Sequence, residues 1–447
     1  MSFAGTLVML LSPIARAAAL VGLAVGALQA QTADTARVDS TSAALRPGEL
    51  RQPVRVCAGG DVTLGTNLDP AWAREGAARL GLYGMSPDPD SLAPQLRPFF
   101  AGADLVLLNV EGAIGEGAFR PKCGRNSTSC YAFRQPPNTA RALRAIADSG
   151  AVVVGNVANN HSRDAGDDGR EATIARLEDA GIFVTGTDTL ATPVALPTGD
   201  TLGVLGFYTD RDVPDARDLG AVRRHVARAV RRYGTVVVTM HLGAEGVGAQ
   251  RTRDAREIFL KTIDRGNPVG FADAAFGAGA TLVVGHGPHV LRAAQWRGDR
   301  LAFYSLGNLL TYGPFNLREP MNRGVVACAT IDSAGFVRDA ELRPTMQLAP
   351  GVLTADTTRR ALALIDSLSA LDFPRTGAKV DSMGLVGRRS TLAAEPVQAG
   401  RKQPPVAPKA KPKVSTKAKP APKAKPPAKA KAPGSSQSAK RKTPETR

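Results

Sequence analysis

Residues 281–310 read TLVVGHGPHVLRAAQWRGDRLAFYSLGNLL, and the reading of this stretch decides the fold. Thr281–Val284 is short, apolar and β-branched, the composition of a strand covered on both faces. Gly285 and Gly287 free the backbone to turn, Pro288 stiffens the loop, and His286 and His289 follow at the strand's carboxyl end. One histidine placed like this is an ordinary loop residue. Here His161 and His241 also stand just past Val-rich runs, so four of the chain's five histidines share one kind of position. The fifth, His225, falls in a basic helical stretch.

Working outward, strands and helices alternate. Strands are expected at 54–58, 104–110, 151–154, 182–185 and 236–240, with Gly59, Gly60 and Asp61 as the turn that closes the first. Helices are expected at 138–148, 171–180, 219–232, 271–276 and 357–371, several bounded by an Asn cap or a stopping Gly. Residues 194–208 and 293–305 read as hairpins around TGDT and RGDR, and two more strands are expected at 325–331 and 336–344. An α/β chain with antiparallel hairpins added predicts a layered sandwich rather than a simple doubly wound sheet.

In open α/β sheets ligands gather at the carboxyl ends of strands. Those ends supply Asp61, then Asn109 and Glu111, Asn160 and His161, His241 and Glu245, and finally His286 and His289. Singly, Asp61 could cap a helix, Glu111 could be a surface acid, and Asn160 could hold a turn. Jointly, five strand ends each bring a group able to bind metal. Mixed oxygen and imidazole donors suit Zn, Mn or Fe better than Ca or Cu, with one or two ions bound. Such ions acidify a water for attack on phosphorus or carbonyl carbon. His161, with Asp164 three residues on, is the candidate general acid or an orienting group. Asp164 also heads a helical stretch, where an N-cap is the competing role. Ser305 and Asn308 in SLGN could orient substrate, or simply build a turn.

The ends of the chain differ from its body. Residues 1–30 carry the apolar run Ala17–Ala27 after Arg16, with ALQAQ behind it, the pattern of a signal peptide or of an N-terminal membrane anchor. Either places the body outside the cytoplasm, in the periplasm, outside the cell or on the outer face of the cytoplasmic membrane. A linker is expected at 31–51, the main domain at 52–345, a closing helical segment at 346–376, and a disordered basic tail at 377–447. Residues 401–447 hold 15 Lys or Arg against Glu445 alone, a balance of +14, whereas the whole chain is +17, so residues 1–400 keep about +3. The tail lacks the apolar surface to fold. The basic character therefore does not imply a nucleic-acid enzyme, and an exported Lys/Pro tail fits an anionic surface polymer or anionic headgroups. Of the four cysteines, Cys123 and Cys130 bracket the polar loop GRNSTS and are expected to be bridged. Cys57 and Cys328 sit in strand-like runs, where buried thiols are common.

Six ordered segments carry a resemblance: GGDVTLG (59–65), LVLLNVEGAI (105–114), VANNHSRDAG (157–166), VVTMHLGAEG (237–246), GHGPHVL (285–291) and FYSLGNLL (303–310). Together they resemble the successive blocks of the capsule synthesis protein CapA family, within the metallophosphatase (calcineurin-like phosphoesterase) superfamily. The resemblance implies a four-layer αββα sandwich and a divalent metal centre. Its ligands would be Asp61, Glu111, Asn160, His161, His241, His286 and His289; Asn109, Glu245, Arg292 and Asn308 are the expected substrate-side residues. It also implies a role in synthesis or export of poly-γ-glutamate or a similar capsular polymer, with a membrane or capsule-synthesis complex as partner and no specific nucleic acid. Thr63 stands where the superfamily's first block, Asp-x-His, often has a histidine, and Arg292 and Gln295 replace an expected Gln and acid. Two functions are compatible with these residues. One is a metal-dependent hydrolase, and the other is a non-catalytic polyanion-binding component of an export complex.

Overall fold

The computed structural model describes residues 49–65, 70–115, 131–210 and 213–389. Among them, two large sheets carry the architecture. The larger has eight strands and is built around Val54–Leu64. On one side of that strand lie Leu105–Val110, Val152–Asn156 and Ile182–Thr185, all parallel. On the other side Arg323–Ile331, Val337–Leu348 and Val352–Ala355 continue antiparallel. The smaller sheet has six strands. Its centre is Val236–His241 and Leu282–His286, paired in parallel, flanked by Thr201–Phe207 and Arg300–Phe303. The hairpin partners Thr192–Ala195 and Ala294–Arg297 form its edges.

Period-two alternation explains how the layers stack. Val56, Leu105 and Leu107 of the larger sheet share one buried core with Val204, Val237 and Leu282 of the smaller, so the sheets pack face to face. Their neighbours Cys57, Val106 and Leu108 point the other way, against Leu80, Phe100 and Leu177 of the helices on that side. On the opposite flank, Val236, Val238 and Val283 meet Val222 and Val226 of helix Leu219–Tyr233 and Phe271 of helix Pro268–Gly277. The result is the helix–sheet–sheet–helix sandwich that the resemblance implied. Each such side chain contributes about 1.5–3 kcal/mol on burial. Helix Arg360–Asp372 joins the inter-sheet core through Ala361, Leu362 and Ile365.

Several expectations need correction. The first strand does not stop at Ala58 but runs to Leu64, changing partner midway: residues 54–58 pair with Arg323–Ile331, residues 61–64 with Asn308–Tyr312. Gly59 and Gly60 therefore serve close approach rather than a turn. A Cβ on Gly60 would lie 2.0 Å from the Gly307 carbonyl oxygen, so only glycine lets the two backbones meet. The helix expected at 271 begins at Pro268, because Asn267 accepts from the Gly270 amide and Pro suits the first turn. Beyond 345 the chain adds strand Val352–Ala355 before its helix. Past 376 it adds the hairpin Ala378–Val380 and Val386–Arg388, where the tail was expected to begin. Trp296 holds that hairpin by donating to the Gly387 carbonyl at 3.0 Å.

Cys57 and Cys328 are not free buried thiols. They stand directly opposite one another on antiparallel strands and form a disulfide. Their separation of 271 residues hid a register that only sheet pairing reveals. Cys123 and Cys130 lie outside the described residues, as do the segment expected to be the signal peptide and residues 390–447 of the expected tail.

Candidate metal centre

Sheet register builds the site. In the larger sheet Asp61 is paired with Asn308 on one side and Asn109 on the other, and Asn109 with Asn156, so four polar side chains form one row across parallel strands. In the smaller sheet His241 and His286 are register partners. Both rows lie at the carboxyl ends of their strands, and they meet between the sheets. His286 Nδ1 is 3.7 Å from Asp61 Oδ1, and Asn109 Nδ2 is 3.2 Å from His241 Nδ1.

Glu111, just past its strand, enters this space from the larger sheet. Its Oε1 lies 3.7 Å from His241 Nε2, 3.8 Å from His289 Nε2 and 4.0 Å from His161 Nε2. Thr63, where a further imidazole would fall, is fully buried and donates to the Glu111 carbonyl at 2.7 Å, so it fixes the backbone that presents this carboxylate. His289 reaches Asp61 Oδ2 at 3.0 Å with Nδ1. Its backbone is left-handed, φ 57°, a conformation that costs a non-glycine residue roughly 1–2 kcal/mol and that aims the ring at both carboxylates. Gly287 is required beside it, since with φ 105° a Cβ there would press to 3.0 Å from the His241 ring.

Electrostatics follow from burying so many ionisable groups together. Burial pushes Asp61 up, but the hydrogen bond from His289 and the charges of His289, His241 and His286 outweigh it and hold the carboxyl well below its usual range. Burial and then the Asp61 charge push Glu111 up to about 8. His286 is driven down by burial to about 4, and His241 well below its usual value by burial and by Arg265. For His289 burial is outweighed by Glu111, Asp61 and Asn308, which together raise it to about 9.

The donors fit a divalent cation. Ligand atoms of Asp61, Glu111 and His241 lie within 4.8 Å of one another. Both Glu111 carboxylate oxygens, His241 Nε2 and both nitrogens of His286 are buried without a hydrogen-bond partner. Orphaned polar atoms of this kind cost about 1–3 kcal/mol each, and a cation set among them would take up the carboxylate lone pairs and one nitrogen of each imidazole. His161 stands at the edge of the cluster, its Nδ1 hydrogen-bonded to Asp164 Oδ2 at 2.6 Å. Asp164 is not the helix cap. Ala165 precedes helix Gly166–Asp179 with no side-chain cap, while Asp164 Oδ2 also accepts from the Phe133 amide at 2.6 Å. Asn160 is half-buried with Oδ1 shielded from solvent.

Three residues expected at the substrate are placed otherwise. Asn109 is buried beneath the cluster, donates to Asp61 Oδ1 at 2.8 Å and accepts from Asn156 at 2.9 Å, so it orients donors. Asn308 Oδ1 lies 3.0 Å from His289 Nδ1 and orients that ring. Arg292 is spent on Glu257 through two contacts of 2.8 Å and on the Ala244 carbonyl. Its planar fork matches a carboxylate from the 244–257 loop, so it fastens that loop. Glu245 does line a cavity above the centre and is ion-paired with the buried Arg265, whose guanidinium also donates to the Tyr208 hydroxyl at 3.1 Å.

Sequence reading missed Asn156, Arg265 and Phe133. Asn156 was findable, since it ends its strand two residues beyond the expected boundary. Arg265 follows a loop with no periodicity, and Phe133 is brought in by tertiary contacts. Gln135 on the same segment accepts from the Leu64 amide at 2.7 Å and donates to the Gly112 carbonyl at 3.0 Å, tying residues 131–136 to the ends of the central strands.

Two facing sheets thus bring carboxylates and imidazoles together at the carboxyl ends of their parallel strands. The bacterial capsule synthesis protein PGA_cap family matches residues 55–312, more than half of the chain, and the chain belongs to that family. It is 23% identical over 268 residues to the PGA biosynthesis protein CapA of Bacillus subtilis (strain 168), a match covering 56% of this chain and 61% of that protein, so it spans about three-fifths of the relative's length. Among solved structures it is similar to a 5'-nucleotidase precursor from Thermus thermophilus, at 12% identity and TM-score 0.32, covering 70% of this chain and 58% of the other. It is also similar to a purple acid phosphatase from yellow lupin (Lupinus luteus) seeds, at 10% identity and TM-score 0.32, covering 71% and 56% respectively.

Proposed function

We propose that the protein is an exported, metal-dependent hydrolase of the phosphoesterase type that acts in synthesis or export of an anionic capsular polymer such as poly-γ-glutamate. The observation that supports it most is the convergence of Asp61, Glu111, His241 and His286 between the sheets, with unsatisfied donor atoms facing one another. Asp61, Glu111, Asn160, His241, His286 and His289 would hold one or two Zn, Mn or Fe ions, with His161 at their edge. Such an ion supplies Lewis acidity and an acidified water. The chain's own residues do the rest. Asp164 fixes the His161 ring through Nδ1, leaving Nε2 to hold or release a proton at the cavity floor. Asn109 and Asn308 keep Asp61 and His289 in place.

The basic tail would attract a polyanion, with affinity that falls as salt rises because bound counterions are released. A second reading, a non-catalytic polyanion-binding component, draws support from Thr63, which removes one imidazole. The test uses the purified full-length chain. After incubation with Zn or Mn, elemental analysis is expected to find at least one ion per chain, with hydrolysis of a phosphoester assayed in parallel. Truncation near residue 398 is expected to remove polymer binding and keep the metal. Metal without turnover on phosphoester, ester or amide probes favours the second reading, and a metal-free protein overturns the first.

A further inference from the structure

A cavity of about 230 Å³ opens above His161 and His289, with Glu245 on its rim. Most of its remaining lining has a different character: Tyr131, Phe133, Phe259, Pro314, Phe315 and Met321, with Asn316 the one other polar side chain among the described residues. Three of these rings form a stack. Phe133 and Phe315 lie with centroids 4.9 Å apart and planes inclined by 25°, and Tyr131 stacks on Phe133 at 6.4 Å and 17°. Phe133 also packs at 4.5 Å against the His161 ring, so the aromatic wall begins where the polar floor ends. Among the described residues, no Lys or Arg lines the cavity. The nearby buried cation, Arg265, is already paired with Glu245.

We propose that this cavity is the subsite for an uncharged aromatic or planar ring of the substrate, joined to the phosphoryl or acyl group held at the metal centre. The inference rests on the hydrolase reading and narrows its substrate. Size supports a single ring: an apolar cavity of about 150 Å³ holds a benzene, whereas drug-sized ligands occupy about 300–1,000 Å³. Chemistry supports it as well. A segment of polyanion pushed against this aromatic lining and Glu245 would lose its hydration with no cation to replace it, while a planar ring would gain edge-on or offset contacts with the aromatic lining. A polyanion is then bound elsewhere on the chain, and the bond cut at this centre carries an apolar ring beside it.

The experiment uses the full-length protein loaded with Mn or Zn and two non-hydrolysable probes that differ only in the ring, phenylphosphonate and methylphosphonate. Phenylphosphonate is expected to bind at least about tenfold tighter by calorimetry. Phe315→Ala and, separately, Phe259→Ala should cut that preference to about threefold or less while metal content and melting temperature hold. Equal affinity for the two probes, binding of neither, or a preference untouched by both substitutions overturns the proposal. So does displacement of phenylphosphonate by oligo-γ-glutamate at comparable affinity. Hydrolysis of phenyl and methyl phosphates separates the two readings. Turnover with no preference for the aryl ester overturns the ring subsite and leaves the hydrolase standing. Ring-selective binding with no turnover at any metal supports the subsite and overturns the hydrolase.

Discussion

The two sheets bring different chemistry to the same gap. The larger contributes a row of oxygen and amide groups, Asn308, Asp61, Asn109 and Asn156, with Glu111 just beyond. The smaller contributes imidazoles, His241 and His286 in register with His289 behind them. Neither row is a cation site alone. In the row of amides, Asn109 donates to Asp61 Oδ1 and accepts from Asn156, which leaves Asp61 Oδ2 facing His289 across the gap. The imidazole of His286 finds no hydrogen-bond partner among the described residues. Face-to-face packing of the apolar surfaces places the unsatisfied imidazoles opposite unsatisfied carboxylate oxygens, so the hydrophobic core builds the centre.

Breaking either row should be felt most. Asp61→Ala from the larger sheet and His286→Ala from the smaller are each expected to abolish stoichiometric metal binding, read by elemental analysis after dialysis. If one of them retained a full complement of metal, the two-row arrangement would not be the binding unit.

Weaker perturbations sharpen the comparison. His161→Ala lies at the edge of both rows and is expected to keep the metal while lowering turnover by about 10²–10⁴, the usual span for a lost general acid. Asn109→Ala touches only the larger sheet's row and is expected to weaken metal affinity by about 10–100-fold, measured by competition with a chelating dye. The reverse order, with Asn109 silent and His161 stripping the metal, would exchange their roles.

The smallest effect concerns pH. In the folded, chelator-treated protein Glu111 is raised to about 8 and His289 to about 9. Groups raised on folding stabilise below their unfolded pKa, and that contribution is lost as pH climbs through the folded value. The metal-free protein is therefore expected to lose about 1–3 kcal/mol between pH 7 and 9, seen as a falling melting temperature. With metal present Glu111 is already a carboxylate, so the fall should largely vanish. A melting temperature equally flat with and without metal would show that these two groups are not set against each other in the fold.

Much of this was legible in the chain because it depends on local composition. Val-rich runs set the parallel strands, and their ends named Asp61, Glu111, His161, His241, His286 and His289 as one group. Six ordered segments named the family. What the sequence could not decide were matters of register and of segments distant along the chain. Gly59 and Gly60 look like a turn until Gly307 is seen against them. Cys57 finds Cys328 only through an antiparallel pairing 271 residues away. Arg292 reads as a substrate cation until Glu257 is found holding it, and the ring stack above His161 comes from segments that share no pattern. Local chemistry fixes which residues can act, because side-chain type and strand period are properties of short stretches. Which partner each of them meets is fixed by packing the two sheets, because an apolar core sets the register and the register sets every distance in the site.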